Sequence, residues 1–458
     1  MDPRIYPTRT APTDATPRDL RAELNDEQAA AATFGTGPLL IIAGAGTGKT
    51  RTLTYRVADL IQRGVPPERI LLLTFTRRAA QEMLSRVERL VGATSRQVHG
   101  GTFHATGHRL LRRFGASAGV PQDFSIMDQG DAEDLMQLSR AHLGHADAKK
   151  KRFPKKESLH YVYSRHVNTE IPIEEILRDE FPPFLDYLPA ISAIYADYTE
   201  RKAARNLVDY DDLLLFWLAM LEVSPTLGAK IAGLYDHVLV DEYQDTNVLQ
   251  ARVLQGMARA HGNIAVVGDD AQSIYSFRGA SFRNILDFPK SFDQTTIVTL
   301  EENYRSTQPI LDVTNALISK AEERFTKNLW TKREGGERPW LVSVQDEQQQ
   351  TRFVVERILE LHEQGMPLRE MAVLIRAGYM SADLEIELTN RKIPYEKWGG
   401  LKFLEAAHVK DVLAFLRVLE NPRDEVSWYR ILRLLPGVGD ATARTAVEAL
   451  SAHAWAPM

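Results

Sequence analysis

The chain has 458 residues, 44% hydrophobic and 26% charged, with a formal net charge of −5, twelve histidines and no cysteine. That length exceeds one compact core, so two or more domains are expected, and the composition excludes a wholly disordered chain. The lack of cysteine excludes disulfides, iron–sulfur clusters and Cys-ligated zinc, and no apolar run reaches the roughly 18 residues of a membrane span.

Residues 1–20 are polar and rich in Pro and Thr, with no apolar stretch that would make a secretory signal; they read as a disordered tail. The apolar run Pro38–Ile42 predicts a buried strand. After it, Leu53, Val57, Leu60 and Ile61 recur at helical spacing until Gly64. Ile70–Phe75 predicts a second strand, followed by a helix in which Ala79, Ala80, Met83, Leu84, Val87 and Leu90 recur at helical spacing. From about 110 to 205 the alternation stops, and charge, Tyr and helical patches predict a helical insertion. Within it Lys149–Lys156 holds six positive residues in eight, ordinarily a solvated loop, with DNA contact as the alternative. Alternation resumes at His237–Val240 and Ile264–Val267. A second α/β region opens near Thr296, with strands expected at Thr296–Leu300 and Met371–Ile375. From about 406 the pattern is helical again. This order of elements predicts an α/β fold built on a parallel sheet. The domain assignment is 21–109 with 206–283, an insertion at 110–205, a second α/β region over 284–405, and a further helical segment over 406–458.

Chemistry concentrates where two predicted strands end. Ala43-Gly44-Ala45-Gly46-Thr47-Gly48-Lys49-Thr50 follows the phosphate-loop pattern except at Ala43, where glycine is usual. Such a loop turns backbone N–H groups and the dipole of the next helix onto a phosphate. Lys49 then reaches the β- and γ-phosphates and the Thr50 hydroxyl reaches Mg2+. Asp241 and Glu242 follow the run His237–Val240, at the sheet edge where ligands bind in this fold class. Asp241 is expected to hold the metal and Glu242 to take a proton from the attacking water. The competing reading, a glycine-rich turn and two solvated acids, weakens because both features end buried strands of the same kind.

LNDEQAAA, TFTRRAAQEM, GTFHA, DEYQDTN, GDDAQSIYSFRGA and LEENYRST follow one another in this order. Together they resemble the motifs of the UvrD/Rep family of superfamily 1 DNA helicases, over about Leu24 to Asp411. The resemblance implies a P-loop NTPase with a RecA-like motor domain, an incomplete second RecA-like domain and helical insertions. It implies an ATP- and Mg2+-dependent 3′-to-5′ DNA motor of the cytoplasm. Its partners would be single-stranded DNA, junctions with duplex, and repair or replication proteins, with no membrane. By resemblance Gln28 reads the adenine edge, Tyr304 stacks on the base, Arg51 stands beside the phosphate loop, Arg305 reaches the γ-phosphate, and Gln272 senses it. The DNA track falls to Phe75, Thr76, Arg77, Thr102, Phe103, His104, Tyr275, Phe277 and Arg278, where aromatic faces and positive charge meet. The family usually has Trp at position 277, and many relatives have Asn and Lys where Arg77 and Arg78 stand.

Two later family motifs, one coupling DNA to ATP and one supplying a second arginine, do not occur before Met458. The expectation is a fragment or shortened relative that hydrolyses ATP slowly, responds weakly to DNA and does not unwind duplex. Two other readings stay open: a DNA-binding ATP switch that does not move, and the ATPase part of a helicase–nuclease complex.

Overall fold

A computed structural model describes residues 19–145, 153–398 and 407–452, and only the backbone of Arg278. The expected tail up to residue 18 and Lys149–Arg152 of the basic run lie outside the described residues. The chain divides into two compact units, Met1–Glu337 with Arg417–Met458, and Arg338–Leu416.

The described residues of the first unit hold eight strands: β1 (Leu39–Ala43), β2 (Ile70–Thr74), β3 (His99–Thr102), β4 (Ser125–Ile126), β5 (Leu207–Val208), β6 (His237–Val240), β7 (Ile264–Gly268) and β8 (Thr296–Leu300). Six of them form one sheet in the order β3-β2-β6-β7-β1-β8, every pair parallel. The sheet is buried on both faces, which is why its central strands read as unbroken apolar runs. Alternation along each strand sorts the side chains. Leu40, Ile42, Leu71, Leu73, Val238 and Val240 enter one core, while Leu39, Ile41, Ile70, Leu72 and Leu239 enter the other. The second core packs against α1 (Asp26–Ala32), α2 (Lys49–Gln62) and α3 (Arg77–Val91); the first packs against α4 (Phe103–Phe114) and helices later in the chain.

The insertion carries α5 (Gln129–His142), α6 (Lys156–Thr169), α7 (Ile173–Glu180) and α8 (Leu188–Ala204), entered and left through the parallel pair β4–β5. The chain returns through α9 (Tyr210–Glu222), α10 (Pro225–Ala232), α11 (Val248–Ala258), short α12 (Arg283–Leu286) and α13 (Phe288–Ser291), and α14 (Gln308–Ile318). Between α8 and α9 lies a buried charge cluster. Lys202 Nζ is 2.6 Å from Asp209 and 2.7 Å from Asp212, and Asp209 and Asp212 form the capping box of α9.

Unit Arg338–Leu416 holds α15 (Glu347–Glu363) and α16 (Ala382–Asn390), with a small core of Val355, Leu388 and Ile393. The helix α17 (Ala407–Glu420) is followed by α18 (Glu425–Arg433) and α19 (Asp440–Ala452). These last two share a core with the insertion: Val426, Tyr429, Ala443 and Val447 pack with Leu135, Met136, Ile176 and Ile194. Glu425 pairs with Arg201 at 2.8 Å and with Arg205 at 2.5 Å.

Two strand expectations change. Thr296–Leu300 does not open a second sheet; it pairs with β1 from Leu39 to Ala43 and is an edge of the first. Met371–Ile375 is not a strand, and none of the described residues of 338–416 belongs to one. The apolar run there pairs with no neighbouring strand: the Met371 N–H turns back to the Leu368 carbonyl at 3.0 Å, and Leu374 stands 96% exposed. Among the described residues no single helix is long and apolar enough to cross a membrane.

Candidate nucleotide and nucleic-acid site

Parallel strands deliver their following loops to one edge of the sheet, and the candidate residues gather there. β1 runs into the glycine loop, and α2 begins at Lys49. β6 ends one residue before Asp241, and β7, which lies between β1 and β6, ends at Gly268 just before Asp269–Gln272.

Lys49 Nζ donates to Glu242 Oε2 at 3.0 Å, and the Thr50 hydroxyl lies 3.4 Å from Asp241 Oδ2. Asp241 accepts from the Glu242 N–H at 3.1 Å, and Glu242 is held at φ 53, a left-handed backbone uncommon outside glycine. Burial first, and the Glu242 carboxylate second, raise Asp241 to about 7. The same two causes raise Asp245 to about 6. Three acids therefore face one ammonium, and the hard oxygens of Thr50 and Asp241 are a donor set that suits a small divalent cation.

Arg305 lies against the phosphate loop. A Cβ on Gly46, which has φ 80, would stand 2.7 Å from Arg305 Cβ. Asn303 joins the two segments: its Nδ2 donates to the Ala45 carbonyl, and its Oδ1 accepts from the Arg305 N–H at 2.8 Å. The Tyr304 ring is exposed; its N–H donates to the Gly46 carbonyl at 2.9 Å, and its hydroxyl accepts from Asn25 Nδ2 at 3.0 Å. Gln28 is buried, its Nε2 donating to the Thr47 carbonyl at 2.8 Å. Arg51 leaves the loop and donates to the Glu23 carbonyl at 2.6 Å. Gln272 Nε2 donates to Asp269 Oδ2 at 2.5 Å.

Beside the acids a cleft of about 480 Å³ is lined by Thr50, Asp241, Glu242, Gln272, Phe75 and Tyr275, among others. The Phe75 and Tyr275 rings pack at a tilt of 39° with centroids 4.9 Å apart, and Phe277 follows 5.8 Å from Tyr275 with 53% of its surface exposed. Thr76 and Thr102 are helix caps: their hydroxyls accept from Ala79 N–H at 3.1 Å and Ala105 N–H at 3.2 Å. Arg77 begins α3 and is exposed. Arg278 lies in the turn Ser276–Arg278 after the aromatic pair.

Two expectations for the nucleic-acid track change. Phe103 is only 4% exposed and packs 6.4 Å from the Trp217 ring in the core, so it has no free face for a base. His104 meets Tyr210 edge-on at 5.8 Å, and burial lowers it to about 4, so at neutral pH it brings no positive charge.

Gln244, Asn303 and Lys327 were not singled out from the sequence. The first two lie inside quoted motifs, DEYQDTN and LEENYRST. Lys327 had no signal; it is buried between Asp269, at 2.6 Å, and Asp270.

Comparison with known proteins agrees with this arrangement. Residues 24–293 match the UvrD/REP helicase N-terminal domain, and residues 298–453 match the UvrD-like helicase C-terminal domain. The chain is similar to ATP-dependent DNA helicase PcrA of Staphylococcus epidermidis, with 35% identity across 90% of this chain and 56% of the relative. It is similar to ATP-dependent DNA helicase UvrD1 of Mycobacterium tuberculosis, with 38% identity across 97% of this chain and 59% of the relative. DNA helicase II of Haemophilus influenzae is 37% identical across 92% of this chain and 57% of its own length. The chain thus spans somewhat more than half the length of these curated relatives. With a family domain matched over most of the chain, and the motifs of that domain gathered at one sheet edge, the chain belongs to the UvrD/REP helicase family.

Proposed function

We propose that this chain is the ATP-hydrolysing part of a motor that moves 3′-to-5′ on single-stranded DNA, acting at junctions with duplex during repair or replication in the cytoplasm. The observation that carries the reading is the meeting of Lys49, Thr50, Asp241 and Glu242 at one sheet edge, beside a cleft with an aromatic wall. The relatives' names as ATP-dependent DNA helicases point the same way.

Magnesium, when bound by the Thr50 hydroxyl and the Asp241 carboxylate, supplies charge neutralisation on the phosphate oxygens. Lys49 exchanges its Glu242 partner for the phosphates, which frees the Glu242 carboxylate to accept a proton from water. Arg305 adds positive charge at the γ-phosphate, Tyr304 stacks on the base, and Gln28 and Arg51 border it. Phosphoryl transfer needs little covalent chemistry, so these residues act by position and charge. Phe75, Tyr275 and Phe277 offer successive π-faces to unpaired bases, with Arg77 for the backbone.

The test is ATP turnover with and without an oligothymidylate. Lys49→Ala is expected to lose both hydrolysis and tight nucleotide binding. Glu242→Gln should bind Mg·ATP and not hydrolyse it, with a loss of about 10²–10⁴ in rate. Normal turnover in either variant, or a wild-type rate indifferent to oligothymidylate, contradicts the proposal.

A further inference from the structure

The loops leaving β6 and β7 run side by side, and one buried side chain joins them. Gln244 is 1% exposed, and its amide is used at both ends. Nε2 donates to Glu242 Oε2 at 2.8 Å, while Oε1 accepts from the Asp269 N–H at 3.0 Å. Only an amide supplies a donor and an acceptor in that shape; a carboxylate offers acceptors alone. The surroundings are fitted to it. A Cβ on Gly268 would stand 2.7 Å from Gln244 Oε1, and the Ser273 hydroxyl donates to the Gln244 carbonyl at 3.2 Å.

The contacts continue in both directions. Glu242 Oε2 also accepts from Lys49 Nζ, and Asp269 Oδ2 accepts from Gln272 Nε2. Three residues beyond Gln272 the chain reaches Tyr275, whose ring packs at a tilt against Phe75. A continuous polar path thus runs from Lys49 through Glu242, Gln244 and Asp269 to Gln272, at the foot of the aromatic wall. Lys327 braces its far end by pairing with Asp269 and Asp270.

We propose that Gln244 is a positioning residue with two duties: it holds the Glu242 carboxylate in place when Lys49 leaves it for phosphate, and it carries that change to the turn bearing Gln272 and Tyr275. The proposal rests on the reading of this site as one of ATP hydrolysis. Glu242 has two partners in the present arrangement, and after Lys49 departs Gln244 is the one that remains. With Lys49 gone, the Glu242 carboxylate accepts from Gln244 alone, and the altered strength of that bond reaches the Asp269 N–H through a single rigid amide.

The experiment uses the full chain as wild type, Gln244→Leu and Gln244→Glu. Gln244→Leu removes both hydrogen bonds; Gln244→Glu keeps the shape and the acceptor for Asp269 and, read at a pH high enough to ionise the buried carboxyl, loses the donor to Glu242. Four quantities are read: mant-ATP affinity, oligothymidylate affinity without nucleotide, the factor by which a non-hydrolysable ATP analogue changes that affinity, and kcat with KM. In wild type the analogue should change oligothymidylate affinity by about five-fold or more. In both variants that factor should fall to near one, and kcat should drop by about 10²-fold, as for a misplaced catalytic group. Mant-ATP affinity, KM and nucleotide-free oligothymidylate affinity should stay near wild type.

Wild-type kcat and coupling in either variant overturn the proposal. So does a parallel fall of all four quantities with a lower melting temperature, which is the mark of a merely structural glutamine. If Gln244→Leu does not fold, the isosteric Gln244→Glu decides alone. A wild-type chain that does not bind mant-ATP overturns the ATP reading itself, and this proposal with it.

Discussion

Aromatic residues that look alike in the sequence divide sharply by where their rings go. Phe277 is half exposed beside the tilted Phe75–Tyr275 pair, whereas Phe103 is enclosed beside Trp217. Phe277→Ala is therefore expected to weaken oligothymidylate binding by about 1–3 kcal/mol while leaving the salt dependence of binding unchanged, since no phosphate contact is lost. Phe103→Ala should instead lower stability by about 3–5 kcal/mol, because it opens a hole in the core. Fluorescence titrations at several salt concentrations and urea unfolding separate the two. The difference was partly legible, since Phe103, Gly107, Leu110, Leu111 and Phe114 recur at helical spacing, the mark of an inward face. The motif context drew Phe103 toward DNA against that periodicity. Lys49, Thr50, Asp241 and Glu242 stood out because phosphate chemistry asks for those residue types in the loops that follow buried strands. Lys327 was not, because a lone lysine in a segment without regular structure carries no pattern, and only the fold shows the two carboxylates it meets.

Elements obey the same distinction between what a residue prefers and what surrounds it. β3 reads HGGT and has no apolar run, yet it forms an edge of the sheet through pairing with Leu71–Thr74. Met371–Ile375 has the run and lacks the neighbour. Pairing is long-range, so local composition could disclose neither case. The junction of α8 and α9 is another product of folding. Burial first, and the Asp209 carboxylate second, raise Asp212 to about 6 from 3.8, while Lys202, acting against burial, holds Asp209 low. One ammonium between two carboxylates favours a proton on one of them. The sign follows: the folded chain keeps a proton that the unfolded chain releases, so this contribution is full below about pH 4 and is lost as pH rises through about 6. Asp212→Asn keeps an oxygen for the capping box and removes the charge. Unfolding by urea at about pH 5 and about pH 8 should show a fall in wild-type stability that is smaller in the variant by roughly 1–2 kcal/mol. An identical fall in both would place the titration elsewhere.

At the scale of the whole chain, the sequence order of segments and their grouping in space differ. The helical segment over 406–458 is distant in sequence from the insertion at 110–205, and in space α18 and α19 complete the insertion's core, with the Glu425 pairs to Arg201 and Arg205 tying them to it. Such closure depends on which apolar faces meet, which single-helix periodicity does not encode. Residues 338–416 present the opposite situation. Leu341 and Leu374 are 97% and 96% exposed, and Trp340, Val342, Val344, Val373 and Ile375 are exposed near them, on backbone without strand partners. Unpaired, apolar, extended backbone is a template for other chains. The colloidal behaviour of this protein should therefore be governed by these seven residues, which take no part in nucleotide chemistry. Leu374→Lys is expected to raise the concentration at which light scattering begins, with ATP turnover per dissolved chain unchanged. If scattering begins at the same concentration, self-association has another origin on the surface.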